Sequence, residues 1–142
     1  MSIFPTKVLL ATDGSEEAEL AATTAADLAK STDSELHVVH VGEFLPTILA
    51  QTEVEPARVE REARELLENQ VRRVEGGGGT VEDSHLRLGR ADEEIVDLAH
   101  SIGAGLIVMG SRGHGRMRRA LMGSVSESVV RHAPCPVTIV RN

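Results

Sequence analysis

"GLIVMGSRGHGRMRRALMGSVSESVVRH", residues 105–132, is the stretch whose reading decides the fold. Its opening, "GLIVMGS" (105–111), is a nearly continuous apolar run, as expected for a strand covered on both faces. A segment crowded with glycine and arginine follows. "GSVSE" (123–127) then opens a helix, with Ser124 placed as N-cap and Glu127 three residues on completing a capping-box pattern. Strand, polar loop and helix in that order are one unit of a parallel α/β sheet.

Working outward, the same alternation runs along the chain. "KVLLAT" (7–12), "ELHVVHV" (35–41), "SHLRL" (84–88) and "PVTIVR" (136–141) read as four further strands, the first and last again nearly continuous in apolar residues. Between them, Ala18, Ala21, Ala22, Ala25, Leu28 and Ala29 recur at helical spacing as a small-residue stripe. Val59, Ala63, Leu66, Leu67, Val71 and Val74 form a second stripe, backed by Glu60–Arg64 and Glu68–Arg72 pairs in the favourable i,i+4 order. Ile95, Leu98, Ala99 and Ile102 mark a third helix. A short fourth, 126–132, is closed off by Pro134. Right-handed crossovers then give an open parallel sheet with helices on both faces. Gly76 to Gly79 stop the second helix, and residues 42–55, the least patterned segment, read as a mobile loop near a strand end. The 142 residues suit one domain, 1–142, with a real core.

Composition narrows the function. A net charge of −7 argues against a general nucleic-acid binder, whose footprint is basic. Phe4 and Phe44 are the only aromatic residues, so base stacking on aromatic platforms is excluded. No run approaches the roughly 20 apolar residues of a membrane span. The first residues lack a basic leader, a long apolar stretch and a cleavage site, and Cys135 is the single cysteine, so a cytoplasmic location is expected. Locally the balance inverts: Arg112, Arg116, Arg118 and Arg119 form a basic island, with no acidic residue between Gly105 and Glu127.

In open α/β sheets, ligands sit outside the carboxyl ends of strands where the strand order reverses. Two loops carry unusual residues there: "TDGSEE" (12–17) after the first strand, and the glycine–arginine loop after the fourth. A helix starting near Ser124 offers free N–H groups and a positive dipole end to an anion. Gly110, Gly113 and Gly115 would let backbone amides turn inward around phosphate oxygens, and Ser124 and Ser126 could add hydroxyl hydrogen bonds. A turn, a helix cap and solvated arginines account for the same residues. The glycine–lysine–serine/threonine ending of a P-loop is missing, and the glycines do not follow the first strand as in the dinucleotide fingerprint.

The spacing Gly110, two residues, Gly113, nine residues, Gly123-Ser124 resembles the ATP-binding signature of the universal stress protein family. The likeness extends to "KVLLATDGSEEAELAATTAADLA" (7–29), "ELHVVHV", "LGRADEEIVDLA" (88–99), "AGLIVMGSRG" (104–113) and "HAPCPVTIVR" (132–141), with residues 42–80 matching poorly. It implies a five-stranded Rossmann-like sheet in the order 3-2-1-4-5, with ATP in a cleft between strands one and four. Carried over, Asp13 would contact the adenosine part beside Ala11 and Thr12, although Asp13 also fits as a cap of the first helix. Val41 would meet adenine through its backbone, and Met109 would flank the nucleoside. Gly110, Arg112, Gly113, His114, Gly123, Ser124, Val125 and Ser126 would surround ribose and phosphates, with Mg²⁺ or Mn²⁺ as a further phosphate-end component. The resemblance also implies a homodimer pairing the 136–141 strands, through Val137, Ile139 and Val140.

No Walker-type lysine, no paired carboxylates after the loop and no Ser–His–Asp arrangement stand out, so efficient turnover is not expected. The reading is a nucleotide-dependent stress-response regulator with at most slow ATP hydrolysis or autophosphorylation. A protein-interaction module without functional nucleotide binding, and a true phosphotransferase or nucleotidase, remain the alternatives. His37 and His40 lie on opposite faces of a strand and make no metal pair. His85, His100 and His132 read as isolated structural histidines, and Cys135 as a small buried residue with at most a modest redox role.

Overall fold

The computed structural model describes residues 2–43, 55–111 and 123–141. Arg112, Gly113, His114, the rest of the arginine island and most of the 42–55 loop lie outside the described residues. Among the described residues, five strands and four helices alternate: β1 (Lys7–Ala11), α1 (Glu16–Ser31), β2 (Glu35–Glu43), α2 (Pro56–Gly76), β3 (Asp83–Gly89), α3 (Ala91–Ile102), β4 (Leu106–Gly110), α4 (Ser124–His132) and β5 (Val137–Val140). All neighbouring pairs are parallel, in the order β3-β2-β1-β4-β5.

Strand periodicity sorts the core into two layers. Val8, Leu10, Leu36, Val38, Leu106 and Val108 face Ala21, Ala22, Ala25 and Ala29 of α1 and Leu67 and Val74 of α2. Leu9, Val39, Val41, Ile107 and Met109 face Ile95, Leu98 and Ala99 of α3 and Val129 of α4. β1 and β4 are sealed on both faces, each fully buried Val, Leu or Ile contributing about 1.5–3 kcal/mol. The alanine stripe brings α1 close to the sheet. β5 is an edge strand, as the expected order places it, and its apolar residues are only half-buried, where a nearly continuous apolar run alone suggests a strand covered on both faces.

Local signals set most of the ends. α2 stops at Gly76, within the four-glycine run. Glu60 pairs with Arg64 at 3.2 Å as expected, whereas Arg72 donates to Asn69 rather than to Glu68. Ser15, not Asp13, caps α1 by accepting from the Ala18 N–H at 3.2 Å. Gly42 and Glu43, assigned to the unpatterned loop from sequence, extend β2 instead. No helix among the described residues is long and apolar enough to cross a membrane.

Candidate functional site

The sheet order reverses between β1 and β4, which lie side by side with Val8 opposite Leu106 and Leu10 opposite Val108. Their carboxyl ends diverge into helices on opposite faces, and a cleft of about 520 Å³ opens there, within the usual range for small-molecule sites of roughly 300–1,000 Å³. Ala11, Thr12 and Asp13 reach it from β1, Val41 from β2, Met109 and Gly110 from β4, and Gly123, Ser124, Val125 and Ser126 from the start of α4. Chain segments far apart in sequence thus converge on one space.

One wall is apolar. Val39, Val41, Met109 and Ile95 line it, and α2 closes over it with Val59, Ala63 and Leu66. The β1 turn is tightly built: Gly14 sits at φ +79°, a conformation that excludes most side chains, with Leu66 packed against it. Asp13 Oδ1 accepts from the Ser15 N–H at 2.9 Å, so the carboxylate braces this turn while its residue lines the cleft.

The other end is polar. Gly123, not Ser124, is the N-cap of α4, and no side chain caps the helix. Ser124 is the first helical residue. The Gly123 N–H is held by the Ser111 carbonyl at 2.6 Å, and the Ser126 hydroxyl donates to that same oxygen at 2.5 Å. Ser126 is therefore buried and spoken for, rather than free to donate from its hydroxyl. Glu127 is the first residue whose N–H bonds inside the helix, to the Gly123 carbonyl at 3.0 Å. The amides of Ser124, Val125 and Ser126 are the orphan donors of the helix start. The Glu127 side chain turns to Arg131 at 2.9 Å and does not line the cleft.

Among the lining residues that sequence reasoning missed, Ser111 and His40 carry polar contacts of their own. Ser111 is buried and works as a junction: its hydroxyl donates to the buried Glu17 of α1, its N–H to the Val140 carbonyl at 3.0 Å, and its carbonyl receives α4. His40 lines the cleft and donates from Nδ1 to the Thr12 carbonyl at 2.7 Å. Burial lowers its pKa below the usual histidine value, outweighing that hydrogen bond and the Asp13 charge, both of which raise it. The unfolded chain therefore takes up the His40 proton first as pH falls below about 6.5, and stability drops there. His40→Gln is expected to reduce the fall in melting temperature between pH 7 and pH 5, measured by circular dichroism. An undiminished fall would remove His40 from the acid response.

The remaining single histidines divide. His132 Nδ1 meets its own helix at the Ser128 carbonyl, 2.9 Å away. His85, read as isolated, instead meets His37 across β2 and β3, with Nε2 3.2 Å from Nδ1. Burial pushes the half-buried Cys135 thiol up, away from the thiolate form a redox role needs.

Residues 5–141 match the model of the Usp family, described as the universal stress protein family. The chain belongs to that family. A Staphylococcus aureus (strain USA300) protein named as a universal stress protein is 37% identical over 140 residues, covering 94% of this chain and 82% of its own. Among solved structures, universal stress protein UspA from Lactobacillus plantarum shares the fold with a TM-score of 0.81 at 24% identity, covering 99% and 100% of the two chains. The universal stress protein from Archaeoglobus fulgidus, solved in complex with dAMP, matches with a TM-score of 0.70 at 26% identity over 98% and 99%.

Proposed function

We propose that this universal stress protein binds ATP in the β1–β4 cleft and acts as a nucleotide-dependent stress-response regulator. The observation that carries the reading is the division of the cleft into an apolar wall and a helix N-terminus with three orphan amides. Adenine fits between Val41, Met109 and the α2 side chains. Asp13, with Oδ1 engaged by the turn, has Oδ2 for a ribose hydroxyl. The phosphates meet the Ser124, Val125 and Ser126 amides and the Ser124 hydroxyl, with Arg112, Gly113 and His114 supplied by the loop between. The dAMP complex of the A. fulgidus relative supports an adenine nucleotide as ligand class.

Mg²⁺ or Mn²⁺ belongs with the phosphates: among the described residues, no group of three metal-ligating side chains lies at this cleft. Glu127 is paired outward, while Glu43 and Asp92 share a second pocket with Ser124 and Val125. Turnover, by hydrolysis or autophosphorylation, is slow at most in this reading. The exposed β5 edge, with Val137, Ile139 and Val140, pairs two chains as a homodimer, and the protein works in the cytoplasm.

The test uses an optical property of the chain. It contains no Trp or Tyr, so bound adenine dominates the near-ultraviolet spectrum. Protein purified without added nucleotide is expected to show an adenine band and to release a stoichiometric adenine nucleotide on denaturation, identified by chromatography. A blank spectrum together with no ATP binding by calorimetry would overturn the reading in favour of an interaction module.

A further inference from the structure

β2 and β3 bring three metal-ligating side chains together away from the cleft. His37 pairs with Asp83 and Val39 with His85 in the parallel register. Partners across the ladder share a face, and alternate residues return to it, so His37, Asp83 and His85 all point to the α3 side of the sheet. His37 Nδ1 lies 3.2 Å from His85 Nε2, and Asp83 Oδ2 lies 3.9 Å from the same His85 nitrogen. All three ligand atoms fall within 4.8 Å of one another. None of the three residues lines the nucleotide cleft.

The proton positions suit a metal. His37 is buried, and its Nε2 faces Glu35 Oε1 at 3.1 Å. A carboxylate there holds the proton on Nε2 and leaves a lone pair on Nδ1, the arrangement that orients histidine ligands in metal sites. The imidazole rings meet edge to edge, with centroids 5.4 Å apart and planes 20° from parallel, so a single N–H bridges them.

We infer that His37 Nδ1, His85 Nε2 and an Asp83 carboxylate oxygen bind a borderline divalent transition metal, zinc foremost, with water as fourth ligand. Two Zn–N bonds of about 2.0–2.1 Å at a tetrahedral angle place their nitrogens about 3.3 Å apart. The observed 3.2 Å is already close to that spacing. Binding shifts the His85 proton from Nε2 to Nδ1, a tautomer change that leaves the proton count unchanged. The rings tilt so that both lone pairs aim at one point, and the exposed Asp83 carboxylate swings in from solvent. Imidazole donors favour zinc, cobalt, nickel or copper over Mg²⁺ and Ca²⁺.

The experiment titrates chelator-treated, nucleotide-free full-length protein with Zn²⁺ by calorimetry and with Co²⁺ by visible absorption. One equivalent per chain and an intense tetrahedral Co²⁺ spectrum are expected. His85→Gln and Asp83→Asn should each weaken binding at least about 10-fold, and Glu35→Gln, acting through His37, by about 10-fold. His132→Gln should leave it unchanged. Circular dichroism establishes that each variant is folded, and Asp83, with its side chain 64% exposed, is replaced with little risk to the core. Absence of a stoichiometric site in the parent, or equal affinity in the parent, His85→Gln and Asp83→Asn, would overturn the proposal.

Discussion

Gly123→Val abolishes adenine-nucleotide binding and leaves the fold intact: that is the expected result of substituting the last glycine of the motif. Gly123 is buried and lines the cleft at the start of α4. Its backbone, at φ −77° and ψ 168°, is extended and accepts any residue. It contributes no side-chain cap that could be lost, and valine retains the N–H that bonds the Ser111 carbonyl. The cost is expected to fall on the ligand, because Gly123 lines the cleft and valine adds bulk there. A loss of at least about 100-fold in ATP affinity, about 2.7 kcal/mol, should appear by calorimetry. Affinity within about threefold of the parent, in a variant with unchanged circular dichroism, would displace the phosphates from this end of the cleft.

Gly110, the first glycine of the same motif, should fail in the opposite manner. A Cβ built there lies 3.0 Å from the Glu17 Cβ and 3.2 Å from the Glu17 carbonyl carbon, so α1 must yield by a few tenths of an ångström for one methyl and by more for a larger side chain. Gly110→Val pushes β4 and α1 apart and is expected to cost about 2 kcal/mol, lowering the melting temperature by roughly 7 °C in a chain of this size. Gly110→Ala, whose single methyl needs only a few tenths of an ångström, should cost distinctly less. A Gly110→Val protein that melts with the parent would show that α1 yields at no cost. If both results are as expected, two glycines of one pattern answer to different demands, close packing at Gly110 and ligand space at Gly123.

The alternation of apolar runs and helical stripes was enough to read a parallel sheet with helices on both faces, because each period reports one local geometry. The strand order came from the family resemblance and is the order the structure has. Ala11, Thr12, Asp13, Val41 and Met109 were gathered by the family resemblance, and they lie at or near the carboxyl ends of β1, β2 and β4, which share a side of the parallel sheet. Less legible was anything decided by a partner distant in sequence. The stripe of α2 announces a buried face but not that Val59, Ala63 and Leu66 bury it over the cleft. "SVSE" fits a capping box at Ser124, yet the Ser111 carbonyl takes the Gly123 N–H and moves the helix start by one residue. His37 and His85, 48 positions apart, meet only once the β2–β3 register is known.

The Ser111 carbonyl, which receives both the Gly123 N–H and the Ser126 hydroxyl, has a consequence for the evolution of the chain. Ser111 and Gly123, which flank positions 112–122 in the sequence, are joined to each other at that oxygen. Closing a longer flexible insert costs only about 0.6 kcal/mol per doubling of its length. The interval between the second and third motif glycines is therefore not a ruler that measures the site. Lengthening, shortening or recharging it is expected to leave the amides of α4 where the Ser111 carbonyl holds them.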